Sequence, residues 1–518
     1  MAAESVDISQ AMVTAPATLG DWLVVAPVAI PIVFGAILLM VRHETRLHAG
    51  LAIAGLVATL AANAGLLSRV LSDGPQVMTM GRWLPPFGIS FTADALGASL
   101  ALVATLVAVV CALYAMKDIG ATGRRYGFYP FMLLMMAGVG GSFLTGDVFN
   151  LYVWFEVFLI SSFGLLILGS SHRQLDGATK YAILNLVGTT LFLTATAFLY
   201  GTFGTLNMAD IARKVDALRE TGPLMTLTVL YLLAFGMKAA AFPLNFWLPA
   251  SYHTPSIVTA ALFGGVLTKV GVYALLRVLV MLFPLERAVL SDLIAWVAAG
   301  TMIIGIMGAL AQSDIRRVLG FVVISGVGVM MAGIALGTEQ GLTGTVLYAF
   351  HSILVMTALY LLAGVMNELG GSYSLHELSG LYRRYPLLAA FALLLVLAVA
   401  GLPPASGLWP KVLLVRASLD AGLPWLSFAI LLTGLLTTVA MGRVFILTIW
   451  RQKADAAPDG AAPAHPTIGY AALAVLSLPV LLLGLYPEPF IRVAEASATG
   501  LLDASAYVGA VFPTEVRP

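Results

Sequence analysis

Fourteen times along this chain, about twenty consecutive residues pass with almost no charge among them, the helix length needed to cross a hydrocarbon core ~30 Å thick. The stretches begin near Trp22, Leu47, Ala93, Tyr126, Asp147, Gly177, Leu224, Pro255, Val289, Ile315, Gly341, Leu387, Leu423 and Ile468. In lipid, each backbone polar group must find its partner inside the protein, so these segments are expected to be helices of an all-α, polytopic membrane protein. Composition points the same way. The chain is 60% hydrophobic and 10% charged, whereas a water-facing domain carries roughly 25% charged residues. A formal net charge of +1 offers no field for nucleic acid. One cysteine, Cys111, excludes a disulfide framework within the chain. The seven histidines lack HExxH or paired spacing, so no metal site is expected. No GxGxxG before a strand and no P-loop is present. The chain is therefore expected to hold no cofactor, and any redox or ATP chemistry would belong to partner chains.

Basic residues set the expected orientation. Alternate loops carry Arg42/Arg46, Lys117/Arg124/Arg125, Arg173/Lys180, Arg316/Arg317, Arg383/Arg384 and Arg451/Lys453, and the others are poorer apart from Arg213, Lys214 and Arg219. The positive-inside rule makes the first set cytoplasmic and, with an even helix count, places both termini outside. The first twenty residues, ending near Gly20, carry Glu4 and Asp7 in place of a basic and apolar leader, so no cleavable signal is expected there. The segment 208–220 (MADIARKVDALRE) is expected to be a short amphipathic helix on the outer face. The Ala-, Pro- and Gly-rich segment 454–466 is expected to be a cytoplasmic loop.

Ionisable residues in the middle of apolar runs carry the most information. Each costs about 2.5–3.5 kcal/mol to insert at the bilayer centre and is kept for a polar path or a partner. Glu156 (NLYVWFEVFLISSFGLL), Lys238 (LAFGMKAAAFPLNFWLP), Lys269 (ALFGGVLTKVGVYALL) and Lys411 (VAGLPPASGLWPKVLLV) are such residues, with His351 (LYAFHSILVM) a fifth. A buried amine is driven toward its neutral form by desolvation and back toward its charged form by a nearby carboxylate. A lysine whose acid partner can approach or recede is thus a switchable proton site. A static ion pair joining two helices is the plainer reading, and for His351 a satisfied core histidine is an equal one. Two of the lysines lie beside proline-broken helices, Lys238 before Pro243 and Pro249, and Lys411 after Pro403, Pro404 and Pro410. Freed carbonyls are tolerated at membrane depth only inside protein or beside water, and paired broken segments in two halves of a chain point to a transport site between inverted repeats. Ser161, Ser162, Thr189, Thr190, Thr268 and Ser325 could carry water between these charges, or serve as helix-packing contacts.

The runs GDVFNLYVWFEVFLISSFGLL from Gly146, FGMKAAAFPLNFWLPASYHTPSIVTAALFGGVLTKVGVYALLR from Phe235 and AQSDIRRVLGFVVISGVG from Ala311 resemble the antiporter-like proton-translocating family. That family includes the large membrane subunits of complex I, subunits of membrane-bound hydrogenases, and the A-type and D-type subunits of the multisubunit Mrp sodium/proton antiporters. FEV around Glu156, ASYHTP from Ala250 and GTLNMADIA from Gly204 resemble the D-type subunit, while Asn245 and Ala250 stand where complex I relatives more often have His and Asp. The resemblance implies two inverted five-helix bundles, in segments 126–285 and 286–450. Segment 1–21 would precede them outside, 22–125 would hold the first three helices, and 451–518 would hold a cytoplasmic loop, the last helix and the tail. It implies that Glu156 pairs with Lys238, that Lys269 and His351 relay protons along the midplane, and that Lys411 is the terminal site. Some relatives carry a further lysine one turn after this histidine; here Val355 and Met356 stand there, leaving the link to His351 and water. The implied partners are other membrane subunits, protons and Na+, with K+ or Li+ as further cations. The implied location is a bacterial plasma membrane. A redox-driven complex using the same lysine chemistry, and a passive scaffold, remain as alternatives.

Overall fold

A computed structural model describes residues 12–13, 16–451 and 466–513. Most of segment 1–21, Lys453, and all of the expected loop 454–466 but its last residue lie outside the described residues.

The apolar stretches are helices, each starting within about five residues of its expected position. Eleven are long and apolar enough to cross a membrane unaided: α1 (Leu19–Met40), α2 (Thr45–Asp73), α3 (Ala95–Asp118), α5 (Val148–Ile167), α6 (His172–Phe203), α8 (Ile257–Leu282), α9 (Ser291–Ala311), α10 (Ile315–Leu336), α11 (Glu339–Gly370), α13 (Pro424–Trp450) and α14 (Thr467–Leu485). Three apolar helices are shorter: α4 (Phe128–Leu144), α7 (Leu224–Ala239) and α12 (Pro386–Ala400).

Two of these short helices are halves of broken ones. α7 stops at Ala240, which takes the left-handed conformation (φ 63°), and the chain resumes as a short helix, Trp247–Ser251. α12 stops at Gly401 (φ 85°) and resumes as Leu408–Asp420. The first break contains Pro243 and the second contains Pro403 and Pro404, whose missing N–H groups prevent continuation of the helix ladder. Pro410 sits in the first turn of its helix, where no donor is lost. Pro249 lies within Trp247–Ser251.

α8 and α11 are buried along their apolar length and α10 almost so, whereas α1, α2, α6, α13 and α14 bury about a third of theirs. The architecture is thus a sheathed one, with a few helices touching protein all round and the others turning large apolar side chains outward, among them Leu186, Trp296 and Leu435. Such an outer surface suits lipid and not water.

The bundle is all-α as expected, and one connection carries a short hairpin. Between α2 and α3, β1 (Gln76–Thr79) pairs antiparallel with β2 (Ser90–Ala93), Gln76 opposite Ala93. This connection crosses the end of the bundle, and its β-branched and aromatic residues pair there. Segment 208–220 is a helix over Met208–Lys214 followed by a tight turn, with Met208, Ala209 and Ile211 inward and Lys214 bonded to Asp210 at 2.7 Å. The described part of the tail holds two further helices. α15 (Glu488–Leu502) turns Ala494, Ala498 and Leu501 inward against α3 and α11, and α16 (Ser505–Val511) packs on Met208–Lys214 and on the hairpin.

Candidate functional site

Lys238 lies in the last turn of α7, where the carbonyl end of a helix favours a cation. Its ammonium donates to Thr189 Oγ1 at 2.6 Å and to the carbonyl of Asn185 at 3.1 Å, both on α6. Glu156 is the ninth residue of α5, close to its middle. The expected Glu156–Lys238 ion pair is not formed. Lys238 is turned toward α6, and its Nζ is 6.0 Å from the centroid of Phe155, the residue preceding the acid. Glu156 is only half-buried, and its Oε1 is buried without a hydrogen-bond partner. Acid and amine therefore stand on adjacent helices, apart.

Lys269 lies in α8 between two π-helical turns, Phe263–Leu267 and Leu276–Leu282. In a π turn the backbone hydrogen bonds shift by one residue, and the carbonyl of Gly264 in the first of these accepts from Lys269 Nζ at 2.8 Å. The neighbouring Thr268 hydroxyl is buried without a partner. His351, on α11, docks into the second break, its Nδ1 2.7 Å from Ser406 Oγ. Gly407 cannot carry a side chain, because a Cβ there would lie 2.0 Å from the carbonyl of Ala398. Lys411 reaches back from Leu408–Asp420 to the last carbonyls of α12, Val399 at 3.2 Å and Ala400 at 2.6 Å. A groove of about 580 Å³ opens beside it, lined by Leu408, Val412, Val415 and Leu431 and ending at Arg416 and Asp420.

Of the expected water-bearing hydroxyls, Thr189 touches Lys238 and Thr268 neighbours Lys269. Ser162 bonds the Tyr181 hydroxyl at 2.9 Å. Thr190 is exposed and Ser161 is turned to its own helix, while Ser325 donates to the carbonyl of Met302 and joins α10 to α9. Sequence reasoning missed a wholly buried cation, Arg277, eight residues after Lys269 in the same apolar run. It donates to the α3 N-cap Asp94 and, at 3.0 Å, to the Tyr273 hydroxyl, with the Tyr507 ring of α16 5.2 Å away. Its charge within that run was the available signal. Ser406 and Asn185 were missed too, as nothing in their local sequence names their partners.

No lysine of the three has a carboxylate within ion-pair distance among the described residues. All are held by neutral oxygens. Such amines can take up and give up protons where a locked ion pair would hold them.

A family model described as NADH:quinone oxidoreductase/Mrp antiporter, transmembrane, matches residues 145–437. Over 495 residues the chain is 36% identical to the D-type Na+/H+ antiporter subunit of Alkalihalophilus pseudofirmus, covering 95% of this chain and 99% of that one. The D-type Na+/H+ antiporter subunit of Bacillus subtilis is 35% identical over 94% of this chain and 99% of its own length. Among solved structures, a chain of the Mrp complex from a Dietzia species superposes with a TM-score of 0.88 at 29% identity, covering 96% of this chain and 100% of that one. A chain of respiratory complex I from Thermus thermophilus reaches 0.80 at 26% identity, covering 93% and 100%. The chain belongs to the NADH:quinone oxidoreductase/Mrp antiporter family, as a D-type subunit of the Mrp kind.

Proposed function

We propose that this chain is the proton-carrying subunit of a multisubunit Na+/H+ antiporter, conducting through Glu156, Lys238, Lys269, His351 and Lys411. The observation that carries the reading is the set of three lysines held by neutral oxygens, two of them at helix breaks. The names of the relatives support the antiporter complex and its other membrane subunits as partners. In this reading the chain crosses a bacterial plasma membrane fourteen times with both termini outside, and 126–285 and 286–450 form two inverted bundles around the breaks. The proton gradient drives Na+ out of the cell, with K+ or Li+ as alternative cations.

The test uses inside-out vesicles holding the complete complex in a host without its own sodium/proton antiporters. Respiration builds a pH gradient and Na+ is then added. Collapse of the gradient in wild type and not in an assembled Lys238→Ala complex is the expected result. Equal collapse in both would sink the relay. The likeness to the complex I chain favours a second reading, a redox-driven pump subunit. Neighbouring genes for cysteine-rich electron-transfer proteins, together with no Na+-dependent collapse in wild type, would select it.

A further inference from the structure

Between the loop after α7 and the loop joining α9 to α10 lies a vestibule of about 770 Å³ on the arginine-rich face, cytoplasmic in the reading above. Arg173, Lys180, Arg316 and Arg317 line it, with Asp176 and Asp314. Lys180 pairs with Asp176 at 2.6 Å and Arg316 with Asp314 at 2.8 Å. His253 is the lining group whose ordinary titration falls near neutrality. It follows the short helix Trp247–Ser251, the far half of the helix that carries Lys238.

The two ring contacts of His253 fix its state. Its Nε2 is 3.2 Å from Arg317 Nη2, and its Nδ1 is 2.9 Å from the carbonyl of Pro249. A guanidinium can only donate and a carbonyl can only accept. The imidazole is therefore neutral, with its proton on Nδ1. Adding a proton at Nε2 would oppose two donors and two positive charges, so that contact must open. Burial, and then the Arg317 charge, hold the His253 titration below its ordinary value, with Arg316 adding to this and Asp314 opposing it.

One stripe of α6 joins this histidine to the lysine. Gly177, Tyr181, Asn185 and Thr189 recur every four residues, all of them buried. Gly177 lies against Thr254, the residue after His253; a Cβ there would sit 2.6 Å from the Thr254 hydroxyl. Asn185 Nδ2 donates to the Tyr181 carbonyl at 2.9 Å, and Lys238 bonds the next two rungs. Twelve residues of helix span about 18 Å, the depth from vestibule to lysine.

We propose that His253 is the group through which Lys238 exchanges its proton with cytoplasmic water, along the Thr189–Asn185–Tyr181 stripe, with Arg317 returning it to the neutral form. The proton leaves the Lys238 ammonium, passes by the stripe and intervening water to His253 Nε2, and departs to the vestibule. No other bond is made or broken. This rests on the proton-carrying reading above.

In inside-out vesicles the medium meets the vestibule directly, so Na+-dependent collapse can be measured against medium pH. As pH falls through the His253 titration, the ring stays protonated and release slows, giving an acid limb. His253→Gln keeps an acceptor for Arg317 and cannot titrate. It is expected to assemble, to lower exchange on the order of tenfold to a hundredfold, and to abolish the acid limb. Arg317→Gln removes the positive charge that returns the ring to neutrality, and is expected to slow exchange and to move the limb to higher pH, toward the ordinary histidine value of ~6.5. A wild-type rate and profile in His253→Gln would overturn the inference, as would an acid limb that Arg317→Gln leaves in place. If His253→Gln fails to assemble, the Arg317→Gln limb decides. An active Lys238→Ala complex defeats the proton-carrying reading itself. An inactive one beside an unchanged His253→Gln defeats only this inference.

Discussion

The two broken helices present their lysines to the same kind of oxygen from opposite directions. Lys238 belongs to the half that ends at its break and turns sideways to α6, where a hydroxyl and a carbonyl hold it, and it is buried. Lys411 belongs to the half that begins after its break and reaches back to the exposed carbonyls of α12, beside an open groove, and it is only partly buried. Both sit at the negative pole of a helix end. The first is a closed site whose partners come from another helix. The second is an open one whose partners come from its own. The acceptors thus come from a neighbouring helix at one break and from the broken helix itself at the other, and the packing around each decides whether the amine is sealed.

The largest expected effects treat both sites alike. Lys238→Ala and Lys411→Ala should each reduce exchange on the order of a hundredfold or more, because each removes a proton carrier. Vesicle assays on complexes matched for assembly check this, and a surviving rate in one of them would show that the second site is dispensable to the first or the reverse. Arginine cannot release its proton, so neither Lys→Arg variant should exchange, yet their stabilities should part. Lys238→Arg overfills a sealed site at a cost of about 1–3 kcal/mol, whereas Lys411→Arg extends into the groove; detergent thermal-shift measurements read the difference, and equal melting would erase the contrast between closed and open. Thr189→Val removes a hydroxyl from an ammonium, worth roughly 1.5–3 kcal/mol, and should slow exchange about tenfold. Thr438 lines the Lys411 groove but is bonded to the carbonyl of Gly434, so Thr438→Val should leave initial rates unchanged. Ser406→Ala deprives His351 of its partner, a loss near ~1 kcal/mol, and should slow steady-state exchange a few-fold; no change would place His351 outside the path.

Much of this was legible in the sequence because lipid makes strict demands. Each apolar stretch became a helix, and the prolines at 243, 403 and 404 marked the breaks, since a missing N–H cannot be hidden in hydrocarbon. The charges in apolar runs led to Lys238, Lys269 and Lys411 for the same reason. What escaped was the pairing. Glu156 and Lys238 were expected in contact, but side-chain direction across two helices turned the lysine to Thr189. His253 was visible only as one letter of a familiar segment, since Arg317 lies 64 positions away. Arg277 and Asp94 are separated by 183 positions and meet through the packing of α8 on α3, which local sequence does not record.

The π turn at Phe263–Leu267 constrains how this chain can vary. A π turn is, in effect, one residue more than an α-helix needs, and each residue of an α-helix turns the chain by about 100°. Deleting a single residue there, Gly265 for instance, would let the turn relax to ordinary pitch and draw the Gly264 carbonyl, which accepts from Lys269, back into the helix ladder. Every functional side chain would be retained in kind and the amine would lose its acceptor. The position of this lysine is thus stored in the length of the chain, and a scan of substitutions would never read it.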